Sequence, residues 1–158
     1  MNRSSCGSVA ARVRVGKRSS RRLWILIAGL VGCSDTPTGI RAVNFASSLD
    51  VDIATFTETR SGLFYKDVRS GEGTTAGSGS YATFFVQGWQ SNGTEIQPRV
   101  TMSNVRLGAG ELIPGVDEAL IGMRVGGQRL AVVPPDLAYG QGIILVFRLE
   151  LTSVSVAR

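Results

Sequence analysis

The chain has 158 residues, 43% of them hydrophobic and 18% charged, enough apolar material for one packed domain and too much for a disordered chain. It contains no histidine and only two cysteines, Cys6 and Cys33, which excludes His-based triads, His-ligated metals and a disulfide framework. The net charge of +5 is unevenly placed. Residues 1–32 carry seven of the 17 basic residues and none of the 12 acidic ones, so residues 33–158 are mildly acidic. The folded part therefore has no basic surplus with which to neutralise phosphates, and a nucleic-acid partner is not expected.

The chain opens with this basic run, followed by Leu23 to Gly32, an apolar stretch of ten residues that is too short to span a bilayer. Basic residues, an apolar core and small residues at the end are the parts of a secretory signal. Leu30-Val31-Gly32-Cys33 resembles the bacterial lipobox, which implies lipidation of Cys33, a membrane anchor, and export to the periplasmic side, the outer membrane being favoured by Ser34. Ser20 to Trp24 has the look of a twin-arginine signal. The expected division is a signal over 1–32, a lipidated cysteine, tether and arm over 33–59, and a globular domain over 60–158.

Within the arm, Val43, Phe45, Leu49, Val51, Ile53 and Phe56 are irregularly spaced and suit a short helix or a segment packed on the domain. Beyond it, Leu63 to Val68 reads as a strand, Ser70 to Ser80 as a glycine-rich turn region and Tyr81 to Trp89 as a strand apolar on both faces. Ser91-Asn92-Gly93 signals a hairpin with a second arm at Thr94 to Gln97, followed by a short separate strand at Val105 to Leu107. Pro114 suits the first turn of a helix reaching about Ile121, with Asp117 and Glu118 matching its N-terminal dipole. Gln128 to Val133 is a strand stopped by Pro134-Pro135. In the last strand Leu145, Phe147, Leu149 and Leu151 face one way, with Val146, Arg148, Glu150 and Thr152 opposite. Antiparallel strands with one short helix make an α+β domain.

The block Val105 to Met123, continuing through Val125 to Arg129 and Val133 to Tyr139-Gly140, resembles the FKBP-type peptidyl-prolyl cis-trans isomerases. Ser61 to Lys66, the Gly71-Glu72-Gly73 turn and Leu145 to Leu151 fit the same pattern, so the resemblance covers about residues 60–154. It implies a curled antiparallel β-sheet wrapped around one short α-helix. It also implies a reaction suited to a chain without histidine. Rotating an X–Pro amide breaks no covalent bond; the obstacle is its partial double-bond character, a barrier of about 18–20 kcal/mol. A dry apolar pocket disfavours the charge-separated resonance form, and a few hydrogen bonds to the twisted amide add to that effect. A thousandfold acceleration needs only about 4 kcal/mol.

Residue by residue, the resemblance places Leu112 and Ile113 on the pocket floor, with the Ile113 N–H donating to a substrate carbonyl. Val116 takes the base position where the family often has Trp. Tyr139 supplies a hydroxyl donor, and Phe147 lines the wall. Val86, Ile96 and Gln97 stand where the family usually has Tyr, Phe and Asp. The loop between Gly140 and the last strand is only Gln141 to Ile144, shorter than usual, with Ile143 and Ile144 as substitutes for its apolar tip. Pro98 to Met102 replaces the usual turn after Gln97. These departures imply weaker catalysis. The expected partners are proline-containing polypeptides and a membrane through Cys33, with no cofactor or metal and a monomeric state. A peptide-binding or chaperone module of the same fold, without catalysis, is the alternative.

Overall fold

A computed structural model describes residues 39–156. The expected signal over 1–32, the lipobox-like stretch ending at Cys33 and the first part of the expected tether lie outside the described residues.

Six strands form one antiparallel sheet: β1 (Thr57–Glu58), β2 (Phe64–Arg69), β3 (Tyr81–Gln90), β4 (Glu95–Arg106), β5 (Gln128–Val133) and β6 (Leu145–Ser155). Their order across the sheet is β1-β2-β5-β6-β3-β4, and one short helix, α1 (Pro114–Leu120), the one α-helix among the described residues, packs on one face. This is the α+β architecture that the turn spacing and the resemblance imply.

The strong period-2 pattern of β6 organises the interior. Leu145, Phe147, Leu149 and Leu151 point to the helix side, where they meet Phe84, Leu107, Val116, Leu120 and Val133 in the main core. Burying each such side chain contributes roughly 1.5–3 kcal/mol. The opposite face of β6, with Val146, Arg148, Glu150 and Thr152, is polar only in part. Val146 is fully buried with Phe64, Leu130 and Val132 in a second cluster on the opposite face.

The arm builds that second cluster. Residues 40–56 form no α-helix; they make three 3-10 turns, Ile40–Ala42, Ser47–Leu49 and Ile53–Thr55, before entering β1. Ile40 and Leu49 are buried on the sheet, with Phe45, Val51, Ile53 and Phe56 packed around them. The arm is fastened to the β3–β4 end of the sheet by the Ala46 N–H, which donates to the Ser91 carbonyl at 2.9 Å.

The sequence reading of the β4 region needs correction. Thr94 to Gln97 and Val105 to Leu107 are not two separate strands; residues 95–106 are continuous, with no turn at Pro98 to Met102. The interruption in pattern comes from bulges. Val86 pairs with Val100 but Gly88 with Gln97, and Phe84 pairs with Met102 but Ala82 with Val105, so β4 has an extra residue at each step. Asn104, at the second bulge, takes φ 56°, a left-handed conformation that asparagine tolerates. Pro98 is accommodated because β4 is an edge strand whose outward N–H groups have no partner to lose.

The helix is held by its own carboxylates. Asp117 accepts from the Gly108 N–H at 2.8 and 3.0 Å, and Glu118 accepts from the Ser61 hydroxyl at 2.6 and 2.8 Å. Arg129 of β5, nearly fully buried, donates to the Ala119 carbonyl at 2.9 Å and grips Asp67 of β2 through two nitrogens at 2.6 and 3.0 Å. The end of α1 is thereby tied to two strands.

Candidate active site

The expected pocket residues gather where the β3–β4 half of the sheet meets the start of α1. They line a cavity of about 360 Å³ bounded by Phe84, Val86, Gln97, Val100, Met102, Glu111, Leu112, Ile113, Val116, Tyr139 and Phe147. That volume lies within the range of small-ligand sites.

The floor is built by the approach to the helix. Pro114 at the first helical position biases Ile113 toward extended backbone, and Ile113 is indeed at φ −62°, ψ 143°. Its carbonyl accepts from the Val116 and Asp117 N–H groups at 3.0 and 3.1 Å. Its own N–H has no acceptor among the described residues, which leaves one backbone donor free beside the cavity. The loop leading to it is fixed by the Asp117–Gly108 bonds and by the Arg106 N–H donating to Glu111 Oε2 at 3.3 Å.

The wall depends on Phe147. Its cross-strand neighbours are Ala131 on β5 and Gly88 on β3. A Cβ at position 88 would stand 2.6 Å from the Phe147 ring. Glycine there lets the ring lie against bare backbone. Val116, 4% exposed, and Phe147, 5% exposed, belong to the main core and line the cavity at once, so packing and site are one surface for these two residues.

Tyr139 reaches the cavity from the loop after β5. Three N–H bonds shape that loop: Leu137 to the Pro134 carbonyl, and Ala138 and Gly140 to the Pro135 carbonyl, at 2.9–3.1 Å. The Tyr139 side chain is 69% exposed, because the short connection to β6 provides no cover. Ile143 and Ile144 do not substitute for a longer loop. Neither lines the cavity; Ile144 packs into the second cluster, and its carbonyl accepts from the Ser91 N–H at 3.2 Å.

Of the eight residues expected to bind or act, Leu112, Ile113, Val116, Tyr139, Phe147, Val86 and Gln97 line the cavity, and Ile96 does not. Ile96 is the extra residue of a bulge, since Gly88 pairs with Gln97 and Trp89 with Glu95, and it lies at the surface, 40% exposed. Four lining residues escaped the sequence reading: Phe84, Val100, Met102 and Glu111. Phe84 carried a signal as an aromatic within a strand apolar on both faces. Val100 and Met102 were hidden by reading Pro98 to Met102 as a turn. Among the described residues no His, Cys, Asp and Glu group is gathered as a metal site would require.

The arrangement is an apolar pocket with a free backbone donor, a phenolic hydroxyl and no nucleophile paired to a base. A family model described as FKBP-type peptidyl-prolyl cis-trans isomerase matches residues 72–151. An FK506-binding protein of Neisseria meningitidis serogroup B is 33% identical over 105 residues, 59% of this chain and 96% of that protein. The chloroplastic peptidyl-prolyl cis-trans isomerase FKBP16-4 of Arabidopsis thaliana is 37% identical over 100 residues, 54% of this chain and 42% of that protein. Among solved structures, FkpA from Escherichia coli is similar with a TM-score of 0.58 and 27% identity, over 66% of this chain and 53% of the other. AtFKBP13 is similar with a TM-score of 0.56 and 26% identity, over 63% and 98%. Fold, family match and relatives agree: the chain is an enzyme of the FKBP-type peptidyl-prolyl cis-trans isomerase family.

Proposed function

We propose that the protein isomerises X–Pro bonds of exported polypeptides in the cavity beneath Tyr139, tethered to a membrane through lipidated Cys33. The observation that carries the site assignment is the Ile113 N–H, unpaired among the described residues, beside a cavity walled by Phe84, Val116 and Phe147. The proline ring fills the apolar floor, and the Ile113 N–H donates to a substrate carbonyl. Tyr139 donates its hydroxyl to a second one. Removing the amide from water destabilises its charge-separated form, while the donors act on the twisted state, so both effects lower the barrier.

Val116 in place of a larger ring and the uncovered Tyr139 leave the site wetter than a closed pocket, which supports a modest rate. The test is exchange spectroscopy on an Ala-Leu-Pro-Phe peptide with the full chain in mild detergent. Exchange faster than in buffer is expected; a folded sample that gives the buffer rate refutes catalysis at this site. For the anchor, Cys33→Ser should release the protein from membranes, and continued sedimentation with them would overturn that part.

A further inference from the structure

We infer that Glu111 is a specificity-determining residue that favours substrates with a cationic side chain next to the proline. The inference rests on the isomerase site proposed above and deepens it. No Asp, Lys or Arg lines the cavity beside Glu111, so its carboxylate is the one formally charged group among the lining residues. The carboxylate has little internal compensation. Oε2 takes the Arg106 backbone N–H at a long 3.3 Å, Oε1 has no donor among the described residues, and Glu111 belongs to none of their ion pairs. One cation on the same strand as the facing wall is committed elsewhere: Arg99 bonds Glu150 at 2.7 Å and lies 4.4 Å from the Phe85 ring centroid.

Position supports the same conclusion. Glu111 immediately precedes the floor residues Leu112 and Ile113 and is itself exposed, while the deep residues Val116 and Phe147 are apolar and buried. A proline on the floor leaves its neighbour's side chain at the rim, within reach of the carboxylate. A lysine or arginine there gains an opposite charge, and a glutamate meets repulsion. Partial solvent exposure limits the gain to that of a surface ion pair, about two- to fivefold, declining as salt shortens the screening length.

The experiment uses the full chain in detergent and two peptide sets, Ala-X-Pro-Phe and Ala-Leu-Pro-X, with X as Lys, Leu or Glu. Affinity is read from shifts of the Ile113 amide resonance, and turnover from exchange between cis and trans signals. The expected affinity order in at least one set is Lys above Leu above Glu, by about two- to fivefold per step at low salt. Glu111→Gln should bring the ratios close to one, and Glu118→Gln, whose carboxylate is bound to Ser61 outside the cavity, should leave them unchanged. Equal affinities in both sets, or ratios that survive Glu111→Gln, overturn the inference. Binding with this preference but without exchange supports it while refuting the isomerase reading. No binding of any peptide at millimolar concentration overturns both.

Discussion

Gly88 and Phe147 show how a single missing methylene group shapes the site. Gly88→Ala places a Cβ 2.6 Å from the ring, which must rotate into the cavity or push the strands apart. The expected cost is about 1–3 kcal/mol in urea unfolding, with peptide affinity falling at the same time. Tyr139 poses the opposite case, since its exposed side chain carries little of the fold. Tyr139→Phe should leave the melting temperature within about a degree and lower kcat/KM by roughly three- to tenfold, the worth of one ordinary hydrogen bond. An unchanged kcat/KM would remove the hydroxyl from the proposed mechanism. At this scale the motif order around Tyr139 and Ile113 was readable from the chain. Gly88 was not, because its reason lies on a strand 59 residues away.

Among the elements, β4 and the arm depart furthest from a linear reading. β4 brings Gln97 to the same wall as Val100 and Met102 only because a bulge lies between them, and a bulge breaks the very periodicity by which a strand is recognised. The arm has no regular period, since its 3-10 turns follow the shape of the sheet face they cover. Leu49→Ala at the buried face of the arm should cost about 2–5 kcal/mol by urea unfolding, comparable with a core deletion. A loss under 0.5 kcal/mol would show that the arm is an appendage rather than part of the fold. Of the two acidic residues of α1 only Asp117 lies in the first turn, as the dipole expectation requires, and the work of Asp117 and Glu118 is to hold Gly108 and Ser61.

Across the whole sheet, Glu150 gathers partners from three strands, two of them charged. It sits on β6, pairs with Arg69 of β2 at 3.2 Å and Arg99 of β4 at 2.7 Å, and takes a hydrogen bond from Gln128 of β5. Burial pushes its pKa up, but the hydrogen bonds from Gln128 and Arg99 and the two guanidinium charges outweigh burial, so it lies below the ordinary 4.5. A depressed folded-state pKa contributes stability that is present above the ordinary value and lost as pH falls through the folded one. Glu150→Gln should therefore be less stable than the natural chain at pH 7, by about 0.5 kcal/mol, and nearly equal to it at pH 3. Denaturant midpoints at the two pH values check this, and a difference that grows in acid would contradict it.

The amino-acid sequence by itself determined the places of α1 and of β2, β3, β5 and β6, the inward row of β6, the division of charge at Cys33 and, through the family resemblance, seven of the eleven residues lining the cavity. The β6 row and the charge division depend on residues close in the chain, where periodicity and composition act directly, whereas the pocket residues were legible only through the family resemblance. Tertiary structure alone decided the continuity of β4, the surface position of Ile96, the second core beneath the arm and the lone carboxylate of Glu111 in an otherwise uncharged cavity. These depend on which residues face each other across strands, and a bulge or a bare glycine changes that pairing without a local trace.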